Sequence, residues 1–273
     1  MLIANLKPLG IVAALHAEIA GLLETMSSRI SRRIGGRDYH CGVLAGRECV
    51  IVLARVGKVA AAATVVTLIH AFDVEAIVFT GVAGGIGPGV AVGDIVIGDV
   101  VMQHDLDASP LFPRYEIPLL GMSRLPSRAS MSDAMAACAS AFLAHDMSAD
   151  IAPDERAAFG LQAPQVHRGL IVSGDCFVSG ATHADDILAA LPDALCVEME
   201  GGAVAQVCFE YGVPFTLVRT ISDRADAQAA TDFMRFVNGV ASVYASGMLR
   251  RYLMGVTDAA TPSVASGAPV GRL

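Results

Sequence analysis

Basic residues are scarce in this chain: 19 Lys and Arg stand against 27 Asp and Glu in 273 residues, for a formal net charge of −8. With so few cations and no basic patch, nucleic acid is not expected as a partner. Long apolar runs are lacking as well. The best candidate, Val59 to Phe72, is shorter than the roughly 20 residues a membrane-spanning helix needs, carries His70 and follows Arg55 and Lys58. It reads as a buried helix, so no membrane contact is expected. Met1 to Gly10 has one lysine and no apolar stretch followed by a small-residue cleavage site, which predicts no secretion signal and a cytoplasmic location. The cysteines, at positions 41, 49, 138, 176, 196 and 208, include no Cys-x-x-Cys pair and no Cys/His zinc spacing. In a reducing compartment they read as small core residues, with a catalytic thiol at Cys176 as the less favoured alternative.

What is abundant is apolar. A hydrophobic content of 54% favours a large buried core, and no internal linker or fixed-period repeat divides the chain. One domain is predicted over residues 1–254, followed by an Ala/Pro/Ser/Gly-rich tail, 255–273, expected to be disordered. Strands are predicted at Leu9 to Leu15, Ala76 to Thr80, Gly93 to Met102, Val166 to Ser173, Ala194 to Val197 and Pro214 to Thr220. A hairpin is predicted from Tyr39 to Ala45 and Cys49 to Ala54, turning at Gly46-Arg47-Glu48. Helices are predicted after Glu18, at Gly57 to Ala71, Ser132 to His145, Ala184 to Ala190 and Glu200 to Tyr211, and as one long closing helix from Asp232 to Leu253. The proline-bearing stretch Asp105 to Pro126 reads as an excursion. Strands alternating with helices, several of them continuous Val/Ile/Leu runs, predict an α/β sandwich with its sheet covered on both faces.

Five acids, Glu18, Asp175, Glu198, Glu200 and Asp223, fall where a strand ends or a helix begins, the edge at which α/β sheets bind ligands. Each has a bland reading beside the functional one. Alternation would place Glu198 and Glu200 on one side and Met199 on the other, but Glu200 equally suits the first turn of a helix. Ser222-Asp223 suits a cap, and Glu18 suits a solvent-facing helix position. The glycine-rich segment Thr80 to Gly89 invites a nucleotide reading, yet a strand follows it where a phosphate-binding helix is required, and no Gly-Lys-Ser/Thr is present. Its glycines read instead as points where backbone approaches a small ligand, and no cofactor is expected. His104-Asp105-Leu106-Asp107 could ligate a metal, but nothing supplies the remaining ligands at a recognisable spacing, so no metal is expected.

Taken in order, Ala14-Leu15-His16-Ala17-Glu18, Val56-Gly57-Lys58-Val59-Ala60-Ala61, Thr80-Gly81-Val82-Ala83-Gly84-Gly85, Val92-Gly93-Asp94-Ile95-Val96, His104-Asp105-Leu106-Asp107, Ser173-Gly174-Asp175-Cys176-Phe177, Val197-Glu198-Met199-Glu200 and Arg219-Thr220-Ile221-Ser222-Asp223 resemble the 5'-methylthioadenosine/S-adenosylhomocysteine nucleosidases of the purine and uridine nucleoside phosphorylase superfamily. The resemblance covers about residues 9 to 253. It implies a three-layer sandwich with a central mixed sheet, a homodimer, and hydrolysis of a purine nucleoside's N-glycosidic bond by water. In the roles it implies, Glu18 is the general base for the water, with Arg219 nearby, and Asp223, helped by Ser222, protonates N7 of adenine. Phe177 stacks on the base, the Val178 backbone bonds its edge, and Met199 and Glu200 hold the ribose. The Gly84 loop approaches the substrate. Two departures stand out: Val82 replaces the family's usual serine, and the Asp105 to Pro126 excursion is unlike the usual segment at the substrate's 5' end.

Two rival functions remain. A phosphorylase would need cationic or backbone donors for phosphate. The family's phosphorylases carry a Gly-Asp-Pro-x-x-Arg segment and a second arginine where this chain has Ala13 to Glu18 and Phe79-Thr80. A non-catalytic nucleoside-binding protein would be expected to lack one of the two acids, and both are present.

Overall fold

The computed structural model describes residues 7–260. Strand β1 (Leu9–Ala13) leads through a 3-10 turn (His16–Glu18) into helix α1 (Ala20–Thr25); β2 (Ser27–Ile34), β3 (Arg37–Leu44) and β4 (Arg47–Leu53) then form an antiparallel meander, followed by α2 (Lys58–Phe72). Next come β5 (Ala76–Gly85), β6 (Ile95–Gln103), the short β7 (Arg124–Pro126), α3 (Ala129–His145), α4 (Met147–Asp150) and α5 (Pro153–Ala158). The chain closes with β8 (Val166–Ser173), α6 (Ala181–Ala190), β9 (Ala194–Glu198), α7 (Gly201–Glu210), β10 (Phe215–Asp223), α8 (Ala229–Gly239) and α9 (Ala241–Ala260). No helix among the described residues is long and apolar enough to cross a membrane.

The strands make one mixed sheet in the order β10-β6-β8-β9-β5-β1-β4-β3-β2, with β7 on β6 and a further pairing of β10 with β5. That last pairing, parallel from Phe215↔Ile77 to Asp223↔Gly84, closes β5, β9, β8, β6 and β10 on themselves, while β1, β4, β3 and β2 extend as an open wing. Helices cover both faces, and β1 shows how. Leu9, Ile11 and Ala13 pack with Leu22, Phe142 and Leu249, whereas Val12 packs with Val65, Leu68 and Cys208 on the other side. Period-two alternation in a wholly apolar strand thus feeds two cores at once.

The expected mixed α/β sandwich is present, and the departures from the sequence reading are shifted boundaries, an edge strand without sequence signal and a closing helix in two parts. Strand β5 does not end at Thr80 but runs through the glycines, because Gly81 pairs with Arg219, and Gly84 and Gly85 pair with Val197 and Cys196. Strand β2 gave no sequence signal: Ser27–Ile34 is polar and almost wholly exposed, an arginine-rich edge strand without a buried face. The β3–β4 hairpin turns one position earlier than read, at Ala45 and Gly46, both with positive φ (49° and 82°), as a two-residue turn matched to strand twist requires. The single closing helix is two, broken after Gly239 at Val240 (φ −120°). An added Cβ at Gly239 would stand 3.2 Å from the ring of Phe159, which itself packs edge-on against Phe236. Helix α9 carries the backbone to Ala260; the remaining tail positions lie outside the described residues.

Candidate active site

A cavity of about 340 Å³ opens at the carboxyl ends of β1, β5, β9 and β10, and Glu18, Glu198, Glu200 and Asp223 all line it. Of the five acids singled out from sequence, Asp175 is absent from this lining. Of the other candidates, Phe177, Val178, Met199, Arg219 and Gly84 line the cavity. Ser222 is buried behind Asp223 and reaches the cavity through it. The expectation that Met199 faces away from Glu198 and Glu200 is corrected. Strand β9 stops at Glu198 and Glu200 has left extended geometry (φ −134°, ψ −37°), so alternation does not continue and the three consecutive side chains share the cavity.

Glu18 sits at the end of the 3-10 turn rather than on a solvent-facing helix, and is only 2% exposed. Its Oε2 accepts the N–H groups of Ala14 (2.9 Å) and Leu15 (2.8 Å), and Oε1 accepts that of Val82 (3.1 Å). Burial pushes its pKa above the ordinary carboxylate value; the Leu15 N–H, the Arg219 charge and the N–H groups of Val82 and Ala14 pull the other way without cancelling it. A Cβ at Gly81 would lie 3.0 Å from Glu18 Oε1 and 3.3 Å from Arg219 Nη1. The glycines therefore admit the site's own side chains, a role beyond the close ligand approach read from sequence.

Asp223 ends β10 just past a bulge: Ile221 pairs with Ala83 and Asp223 with Gly84, leaving Ser222 as the extra residue. The bulge re-aims the strand end and sets Asp223 opposite a glycine whose added Cβ would be 3.0 Å from its Oδ1. Ala225 donates to Oδ1 (2.9 Å), and the Ser222 hydroxyl donates to Oδ2 (2.8 Å), with Ala83 O as its alternative acceptor at 3.3 Å. Burial raises the pKa of Asp223, the Ala225 N–H and Ser222 lower it, and the charges of Asp226 and Asp232 raise it further. The two end acids thus differ in surroundings. Glu18 accepts three N–H groups with Arg219 nearby, whereas Asp223 accepts one N–H and one hydroxyl and feels only the unfavourable charges of Asp226 and Asp232.

Beside Glu18, Arg219, 1% exposed, donates from Nη2 to Glu198 Oε2 (2.7 Å) and from Nη1 to Val218 O (3.1 Å), and its guanidinium lies 4.0 Å from the Phe79 ring centroid. Glu198 also accepts from Ser173 and from the N–H groups of Glu200 (3.1 Å) and Gly201 (2.9 Å), tying the start of α7 to Arg219. This anchoring role was missed in sequence, although Glu198 stood among the noted acids. Glu200 Oε1 accepts the Gly57 N–H (2.8 Å), and burial, followed by the charge of Glu198, pushes its pKa up. Phe177 is 40% exposed and meets Phe233 edge-on at 5.5 Å; Phe233, from α8, is a second lining aromatic that no sequence pattern marked. Cys176, read as a core residue, is exposed on the rim. The His104 to Asp107 stretch spends its acids on loop contacts: Asp105 binds Lys58, and Asp107 accepts from Ser109.

Comparison with known proteins agrees with this geometry. A family model described as the phosphorylase superfamily matches residues 8–253. The 5'-methylthioadenosine/S-adenosylhomocysteine nucleosidase of Shewanella piezotolerans is 33% identical over 229 residues, 84% of this chain and 91% of its own. The crystal structure of the Neisseria meningitidis nucleosidase of that name, in complex with methylthio-immucillin-A, superposes with a TM-score of 0.78 at 31% identity, covering 92% of this chain and 100% of that one. The futalosine hydrolase of Helicobacter pylori superposes at 0.77 with 28% identity over 91% of this chain and 97% of its own. A closed sheet whose strand ends gather two differently surrounded acids, matched along nearly the whole described chain, leaves one conclusion: the chain belongs to the phosphorylase superfamily, among the 5'-methylthioadenosine/S-adenosylhomocysteine nucleosidases.

Proposed function

We propose that the protein hydrolyses the N-glycosidic bond of 5'-methylthioadenosine and S-adenosylhomocysteine, releasing adenine and the thioribose product. The observation that carries this reading is the unequal pair Glu18 and Asp223 at the two ends of one cavity. They stand beside Gly81 and Gly84 of the extended strand β5, three residues and so roughly 10 Å apart along it. Both acids are buried with raised pKa values, which brings them toward the range where proton transfer at neutral pH is efficient.

In this mechanism Asp223, whose pKa is raised by burial, holds a proton and gives it to N7 of the purine, making adenine a better leaving group. Ser222 and the Ala225 N–H hold its carboxyl in place. Positive charge grows at the ribosyl carbon as the bond stretches, and the neighbouring carboxylates favour it. Glu18, held in place by three N–H groups with Arg219 nearby, takes a proton from the attacking water. Glu200, with one oxygen held by Gly57, hydrogen-bonds the ribose hydroxyls beside Met199. Phe177 stacks on the base and the Val178 backbone bonds its edge. Gly84 leaves room for Asp223 against the base.

Water is the favoured nucleophile because Arg219, the cation lining the cavity, already serves Glu198, Val218 O and the Phe79 ring. Incubation with methylthioadenosine, with and without phosphate, checks this. Adenine and free methylthioribose in both cases are expected, whereas sugar phosphate would establish a phosphorylase and no turnover a binding protein. We further propose a homodimer formed through the Asp105 to Pro126 excursion, where Leu111 and Leu119 are 84% and 93% exposed.

A further inference from the structure

Lys58 opens α2 without lining the cavity. Its side chain is only 16% exposed, and its ammonium lies 2.6 Å from Asp105 Oδ1 and 3.8 Å from Asp175 Oδ2. Its own backbone N–H donates to Asp175 Oδ1 (2.9 Å), and the Asp175 N–H donates to Asp105 Oδ2 (2.9 Å). The three residues come from the exits of β4, β6 and β8 and form a closed ring of contacts. A fourth strand exit joins through Gly57, whose N–H holds Glu200 Oε1 at 2.8 Å after β9. Gly57 has φ 99°, a left-handed conformation that suits glycine and aims two successive N–H groups at two carboxylates. Asp175 is followed directly by Cys176, Phe177 and Val178 in the cavity wall.

We propose that Lys58 is a positioning residue for the reaction: by clasping Asp105 to Asp175 it fixes the base-facing segment 176–178, while the same helix start fixes the ribose-facing Glu200. This rests on reading the cavity as an adenine nucleoside site. Without the ammonium, two adjacent carboxylates would repel each other, opposed only by the Asp175 and Lys58 backbone N–H bonds. Burial raises the pKa of Asp105, but the Lys58 hydrogen bond, the Asp175 N–H and the Lys58 charge outweigh it, so the carboxyl sits below the usual range. The ammonium is shielded while both carboxylates reach solvent, but two backbone N–H bonds fix the geometry of the pair, which a lone surface pair lacks.

The test compares Lys58→Met, which keeps length and packing, with Lys58→Arg, which keeps the charge. For Lys58→Met the dissociation constant for adenine and the KM for methylthioadenosine should rise, and kcat/KM should fall roughly tenfold or more, as small misplacements in a site do. The melting temperature should change little, and Lys58→Arg should recover much of the loss. A lower melting temperature with adenine affinity and KM unchanged would assign Lys58 a structural role and overturn the proposal, as would an arginine variant no better than methionine. Should Lys58→Met fail to fold, Asp105→Asn opens the ring from the other side; unchanged adenine affinity there also refutes it. Turnover by the wild type upholds the proposed activity whatever the variants do. A wild type that neither binds adenine nor cleaves the nucleoside overturns both.

Discussion

Replacing Asp223 by asparagine separates proton donation from every other contribution of that side chain. The structure indicates that Asn fits. Its Oδ1 keeps the Ala225 N–H, its amide donates to Ser222 Oγ where the carboxylate accepted, and the Ser222 hydroxyl turns to Ala83 O, already 3.3 Å away. Hydrogen-bond number is conserved, so the fold and base binding should survive while the acidic proton is gone. A general acid contributes on the order of 10²–10⁴ in rate, about 3–5 kcal/mol of transition-state stabilisation, and kcat and kcat/KM on methylthioadenosine should fall together by that factor. A riboside with a good leaving group, such as a p-nitrophenyl riboside, needs no N7 proton and should lose far less. Stability supplies an independent check. The folded pKa of Asp223 lies above the ordinary aspartate value of 3.8, so the fold favours the protonated form and ionisation penalises it. That penalty is absent below the unfolded value, grows as pH rises and is complete above the folded value. Asp223→Asn should therefore gain melting temperature relative to wild type as pH rises above 3.8, until the folded group is fully ionised. Equal rate losses on both substrates, with that pH trend absent, would refute the assignment of Asp223 as the acid.

Glu18→Gln should fold yet lose kcat by on the order of a hundredfold or more, as loss of a general base does; in wild type the acidic limb of kcat/KM should fall at a pH above the ordinary glutamate value of 4.5, because burial raises the pKa of Glu18. Near-normal turnover of the variant sinks the base assignment. Arg219→Met leaves Glu198 buried and uncompensated, which should cost about 3–5 kcal/mol in denaturant unfolding, with part recovered by adding Glu198→Met. For the excursion, sedimentation at micromolar concentration should give a dimer, and Leu111→Glu with Leu119→Glu should weaken it; a fully active monomer would contradict the assembly.

Local pattern alone was enough for many elements. The core of Val166–Ser173 is legible because the apolar run Leu170 to Val172, ending at Ser173-Gly174, has one stable use in a covered sheet. The helix from Lys58 and the strand from Ala194 were legible for similar reasons, and so were the acids, since charge at the end of an apolar strand is conspicuous. The residues that line the cavity could be named because eight short segments stand in family order. Pairing, by contrast, is a property of neighbours. Nothing in Gly81–Gly85 favours a strand over a loop until β10 and β9 lie beside it. Strand β2 has no buried face to leave a period-two trace, and Met199 joins the cavity because β9 stops one residue earlier. Phe233 reaches Phe177 across 56 positions of sequence. The chain by itself determined which residue types stand at which strand ends. Sheet closure, the bulge at Ser222 and burial decided which of them meet and how far their protons are held from ordinary values, because desolvation and pairing exist only once distant segments exclude water together.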